Sequence, residues 1–144
     1  MHTKFPVTVH LFLIHSNQIL LLRRRATGYR DGYYSLPAGH LDGQETVRMA
    51  GVREGREEIG VEIDPADMTF TCVFHRNEDE ERVDFFMHVH KWNGEPFNSE
   101  PGKCDDLRWV DIDSLLPNTI PYIRRAIEDF QAGVKYDEFG WEKA

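Results

Sequence analysis

The chain has 144 residues, 40% hydrophobic and 29% charged, which suits one globular domain with a sizeable core over residues 1–144. Its formal net charge of −8 excludes nonspecific attraction to nucleic acid or to an anionic membrane, and a phosphate substrate would need cations at its site. Cys72 and Cys104, far apart and outside any metal-ligand spacing, read as reduced thiols of a cytoplasmic protein.

In chain order, the β-rich run Val7 to Ile14 comes first. Pro6, Thr8 and His10 interrupt the stretch Phe5 to Ile14, so it does not read as a leader peptide, and no apolar run approaches the roughly 20 residues that span a bilayer. Ser16-Asn17 is a turn signal, and Gln18 to Arg24 resumes as the second strand of a hairpin. Ala26 to Gly32 reads as a loop, Tyr33 to Leu36 as a short strand stopped by Pro37, and Ala38 to Gly43 as a loop. A helix is expected from about Glu45 to Ile59, ended by Gly60. Thr69 to His75 and Val83 to Trp92 read as strands around an acidic tip, Asn77 to Glu81. Asn93 to Lys103 is a loop, Leu107 to Val110 a strand, Ile112 to Leu116 a short helical turn, and Pro121 to Gln131 a terminal helix. The order β-β-β-α-β-β-β-α predicts a mixed sheet between two helices, an α/β/α sandwich.

The most informative stretch is Arg53-Glu54-Gly55-Arg56-Glu57-Glu58-Ile59-Gly60-Val61. On a helix, Glu54, Glu57 and Glu58 fall at i, i+3 and i+4 and share one narrow face. Like charges so placed destabilise an isolated helix by a few tenths of a kcal/mol per pair, about 0.2–0.5, so something cationic should offset them. Hard oxygen ligands on one face suit Mg²⁺ or Mn²⁺. Taken alone, the three glutamates equally describe a solvated acidic face.

Their spacing from Gly39 and Glu45 adds to this. Gly39, Glu45, Arg53-Glu54, Glu57-Glu58 and Gly60-Val61 together resemble the Nudix box, with its fixed polar and glycine positions filled. The resemblance implies a metal-dependent hydrolase of the same α/β/α fold. It makes Glu54, Glu57 and Glu58 metal ligands, with a backbone carbonyl from Ala38 or Gly39, and Arg53 the residue that orients a glutamate and holds the loop to the helix. Glu45, projecting away from Glu54 on an ideal helix, reads as a brace. Two positions depart from the family pattern: Gly55 stands where an apolar residue is usual, and Ala38 where a second glycine is frequent. A second, shorter resemblance lies in Trp92-Asn93-Gly94-Glu95-Pro96-Phe97-Asn98-Ser99-Glu100, which looks like the loop preceding a catalytic acid in MutT-type members. Glu100 would be that acid, as metal ligand or general base, on a loop able to swing over the metals. Asp105 and Asp106 compete for the role.

Arg23, Arg24 and Arg25 form the one strong basic run. Strand alternation sets Arg24 opposite Arg23 and Arg25, and the latter two are the candidates for phosphate or base contact. Asn118 could read a base edge or cap the terminal helix. His75, His88 and His90, and the aromatics Tyr33, Tyr34 and Phe85, fit packing roles better than ligand roles. The proline that often marks ADP-ribose members is missing near Arg76, and the tyrosine of dinucleoside polyphosphate members is replaced by Asn77-Glu78-Asp79. By resemblance, what remains is a nucleoside triphosphate or another nucleoside diphosphate derivative, and the MutT-like loop favours the triphosphate, cut to a monophosphate and pyrophosphate. The rival is a catalytically silent Nudix domain that binds a nucleotide or a partner. The expected partners are a small nucleotide and, at most, a second copy in a homodimer.

Overall fold

The computed structural model describes residues 1–142. Strands β1 (Val7–His15) and β2 (Gln18–Arg24) form the expected hairpin. Ser16 and Asn17 both take positive φ, 50° and 62°, as in the two-residue turns whose twist matches the strands. The strands pair only beside that turn, Ile14 with Ile19 and His15 with Gln18, and then splay apart. β3 (Tyr34–Ser35) takes the freed edge of β2, and β4 (Ala38–His40) the freed edge of β1. The first three residues of the expected Ala38–Gly43 loop are therefore a strand, because the open backbone groups of β1 need partners.

Helix α1 (Val47–Ile59) starts two residues later than expected. Thr46 caps it, its hydroxyl accepting the Met49 N–H at 3.1 Å, and the helix ends at Gly60 with φ 66°. Gly55 stands in the helix interior because a Cβ there would come within 2.7 Å of Ile63 Cδ1, so α1 lies close against the segment that follows it. β5 (Met68–Asn77) and β6 (Glu81–Val89) form the second hairpin, and β6 runs parallel to β1 from Val7 to Leu13. β7 (Cys104–Asp111) covers the other edge of β2. α2 (Pro121–Ala132) follows, then β8 (Tyr136–Phe139), parallel to β5 at the sheet edge.

The sheet is mixed, with β3-β2-β1-β6-β5-β8 as its main path. Strand alternation sends Val9, Leu11 and Leu13 of β1 into the cluster that holds Ala50 and Ile59 of α1. Phe12 goes into the opposite cluster with Ile123, Ala126 and Ile127 of α2. This is the expected α/β/α sandwich. Two local readings differ. Residues 112–116 are not helical; Asp111 instead accepts the Asp113 and Ser114 N–H groups in a turn. β8 was not expected, because a four-residue edge strand with alternately exposed side chains gives no apolar run.

Candidate active site

The splay of β1 and β2 opens a cleft of about 970 Å³ bounded by α1, the tip of the β5–β6 hairpin and the loop before β7. Glu54, Glu57, Glu58, Ala38, Gly39 and Glu100 all line it. The helix face and the Gly39 segment read from the sequence thus meet in space, together with the acid from the Trp92–Glu100 loop.

Arg53 fastens the two box segments. Its Nη2 donates to Glu45 Oε2 at 2.9 Å and to the His40 carbonyl at 3.0 Å, and its Nη1 donates to Glu54 Oε1 at 2.7 Å. Glu57 Oε2 lies 3.5 Å from Nη1. Glu45 also accepts the Asp42 N–H at 2.8 Å, so it braces the loop instead of facing the cleft. The hydrogen bond from Arg53 holds the Glu45 carboxyl below its ordinary pKa. Arg53 itself is held above its own, by Glu45 first.

Glu58 is a different case. It keeps part of its surface open to the cleft but is set deep in the protein, and burial pushes its carboxyl well above the ordinary value. Glu54 and Glu100 add to the push, and its Oε2 accepts the Ala38 N–H at 2.8 Å. Burial also raises Glu54, against the pull of Arg53. Leu11 N–H donates to the Pro37 carbonyl and Leu41 N–H to that of Val7, so antiparallel alternation makes Val9 and Gly39 a hydrogen-bonded pair. Ala38 then turns both its N–H and its carbonyl away from β1, toward the Glu58 side. Of the two candidate carbonyls, Gly39's is committed to the ladder and Ala38's is free to face a ligand.

Among the described residues no three His, Cys, Asp or Glu side chains already converge as a metal cage. The donor set nevertheless fits a hard divalent cation. Its donors are all oxygens, Arg53 neutralises only part of the charge, and Glu58 has no side-chain cation of its own among the described residues.

Glu100 lines the cleft at the end of a loop anchored to the helix. The loop ahead of it is bonded to α1 through Phe97 N–H to the Ile59 carbonyl at 3.0 Å and Ser99 N–H to that of Glu58 at 3.1 Å. Its competitors lie outside the cleft lining. Asp105 pairs with Arg23 at 2.6 Å, and Asp106 accepts from the Tyr34 hydroxyl and from Arg108 at 2.6 Å. Alternation separates the arginines as expected, but the face is reversed. Arg24 lines the cleft, while Arg23 and Arg25 lie outside it, Arg25 reaching the Pro101 carbonyl at 3.4 Å. Lys103 and Arg82 are further cations in the lining. Asn118 neither lines the cleft nor caps α2, because its amide donates to the Gly32 carbonyl at 2.9 Å. His75 pairs with Glu81, and the His88 and His90 rings lie 4.3 Å from each other; none of the three lines the cleft.

Sequence reading missed one group. Thr8, His10, Arg76 and Tyr122 line the cleft; buried Asp84 ties the first three together, and Tyr122 lies under Arg76. The signal was present, since Thr8 and His10 interrupt an apolar strand and Asp84 interrupts another.

A mixed sheet between two helices, with a carboxylate-bearing helix at an open cleft, defines a class of hydrolases that work on phosphate with cations. The sequence profile of the NUDIX domain family matches residues 4–130, and the chain belongs to that family, as a Nudix hydrolase of phosphoanhydride bonds. It is 27% identical over 124 residues to the 8-oxo-dGTP diphosphatase of Escherichia coli K12, covering 85% of this chain and 95% of that one. It is 31% identical over 95 residues to the CTP pyrophosphohydrolase of the same organism, covering 66% of each. Among solved structures, the MutT NUDIX hydrolase of Burkholderia pseudomallei superposes with a TM-score of 0.80 at 29% identity, over 88% of this chain and 98% of that one.

Proposed function

We propose that this chain hydrolyses a nucleoside triphosphate to the monophosphate and pyrophosphate, with Mg²⁺ or Mn²⁺ held by Glu54, Glu57, Glu58 and the Ala38 carbonyl. The observation that carries the reading is the concentration of Glu54, Glu57, Glu58 and Glu100 in one cleft, with Arg53 as the single arginine fastened to the helix carboxylates. Bound there, a divalent cation neutralises phosphate charge and lowers the pKa of water. Arg53 keeps Glu54 and Glu57 aimed, and the Ala38 N–H anchors Glu58. Arg24, Lys103 and Arg82 offer charge to the phosphate chain from the rim. Glu100 is the group placed to take the proton of the attacking water on a carboxylate oxygen, the usual work of a positioned base. Relatives whose names specify nucleoside triphosphates, an oxidised dGTP and CTP, support this choice of substrate.

We also assign the whole chain to one such domain. We place it in the cytoplasm, because both cysteines are free and buried. No helix among the described residues is long and apolar enough to cross a membrane. Monomer and homodimer are separated by light scattering. The test of function is a panel of nucleoside triphosphates and diphosphate derivatives with Mg²⁺ or Mn²⁺, analysed for products. Pyrophosphate and monophosphate from a triphosphate support the reading. Turnover of diphosphate derivatives alone, or of nothing in the panel, rejects it.

A further inference from the structure

The polar cluster in the cleft lining has a chemistry of its own. Asp84 is wholly buried, and His10 and Arg76 are 3% and 4% exposed. Arg76 Nε donates to Asp84 at 2.7 Å, and its guanidinium lies 3.6 Å from the centre of the Tyr122 ring. Burial pushes the Asp84 carboxyl up, but the hydrogen bond from His10 and the bonds and charge of Arg76 outweigh it and hold the pKa below the ordinary value. Asp84 is therefore an acceptor only.

That fixes the tautomer of His10. Its Nε2 faces Asp84 Oδ1 at 3.3 Å and Thr8 Oγ1 at 3.1 Å. Thr8 gives its hydroxyl proton to Asp84, so both neighbours of Nε2 are acceptors and Nε2 carries the hydrogen. Burial, ahead of the upward pull of Asp84, lowers the His10 pKa from its ordinary value. Nδ1 is then a bare acceptor, and no donor among the described residues reaches it. An unpartnered buried acceptor costs stability unless water or a ligand supplies the donor.

The cleft lining holds a second buried polar atom without a partner, the Tyr29 hydroxyl. Tyr29 stands on the 26–32 loop, outside any ladder; its ring packs at the edge of the core with the Arg24 guanidinium 5.3 Å from its centre, a looser contact than the 3.6 Å of Arg76 over Tyr122.

We propose that His10 Nδ1 reads the nucleobase, so that the cleft selects a nucleotide whose base carries an exocyclic amino group, donated to Nδ1. This specificity role rests on the nucleotide reading above. Calorimetry on the wild-type chain tests it without turnover, using CMP, AMP and GMP, each beside the analogue that lacks only the amino group: pyrimidin-2-one riboside 5′-monophosphate, purine riboside 5′-monophosphate and IMP. At least one amino-bearing nucleotide should bind about tenfold or more tightly than its analogue. His10→Phe should bring that pair to within about twofold. The absence of a gap in every wild-type pair overturns the proposal, as does a gap that persists in His10→Phe and His10→Gln. Where one of the two variants fails to fold, the other decides whether a wild-type gap depends on His10. Triphosphate turnover with no base gap leaves the pyrophosphohydrolase reading standing and removes this one; a base gap with no turnover does the reverse.

Discussion

The Glu54 carboxylate occupies the space that a side chain on Gly39 would fill: a Cβ built on Gly39 would stand 2.1 Å from the Glu54 carboxyl carbon. Strand β4 and helix α1 approach so closely that the box glycine and the box glutamate form one contact. Gly39→Ala should therefore displace Glu54 and with it the ion pair to Arg53. The expected result is a destabilisation of about 1–3 kcal/mol, the range for overpacking a filled interior, with an activity loss larger than that destabilisation explains. Denaturant unfolding and kcat/KM on one preparation check this; wild-type values of both would show that the site tolerates a shifted Glu54.

Arg53 holds Glu45, Glu54 and the His40 carbonyl in one planar fork. Arg53→Ala should lower both melting temperature and turnover. Arg53→Lys should rescue little, because an ammonium cannot reproduce several directed bonds at once. Full activity in the lysine variant would reduce Arg53 to a simple counter-charge.

Burial raises the pKa of Glu58 and Glu54 in the folded protein above the unfolded value of about 4.3. The native state then binds protons that the unfolded chain does not, between that value and the raised one. Stability with chelator present should therefore rise as pH falls through that window, contributed by these two groups. Thermal melts of wild type and Glu58→Gln across pH 4.5 to 8 should show a smaller rise in the variant. Parallel curves would mean that Glu58 carries no such burden.

Much of this site was legible because its chemistry is local. Glu54, Glu57 and Glu58 share a helix face by spacing alone, and Gly60 ends the helix as read, although its start, capped by Thr46, lies two residues later than expected. The readings that failed depend on the far side of the fold. Arg24, not Arg23 or Arg25, enters the cleft, and Arg23 on the other face pairs with Asp105 of β7; which face of β2 meets the cleft depends on its pairing with β7, which sequence spacing cannot show. Asn118 is spent on Gly32, and β4 exists because β1 and β2 splay. The His10–Asp84–Arg76 cluster joins β1, β6 and β5 across the sheet, so its members appear in the sequence as unrelated interruptions of apolar strands.

Glu100 faces the cleft, whereas Asp105 and Asp106 are engaged with Arg23, Tyr34 and Arg108. Glu100→Gln should lower the rate by roughly 10²–10⁴-fold, the usual range for a positioned acid–base group, with little change in KM. Asp105→Asn and Asp106→Asn should stay within a few-fold of wild type. Single-turnover kinetics of the three variants decide it, and a few-fold effect at Glu100 would remove the proton-accepting role from it.

The most direct measurement is pyrophosphate release from a nucleoside triphosphate by wild type and Glu58→Gln, first in excess chelator and then with Mg²⁺ or Mn²⁺ restored. Wild type should be silent in chelator and recover with either ion. Glu58→Gln should remain lower by about 10²-fold or more with its fold intact, the scale expected when one preorganised electrostatic group is lost. Undiminished turnover in chelator, or wild-type rates from Glu58→Gln, would contradict a cation-dependent hydrolase built on this helix face.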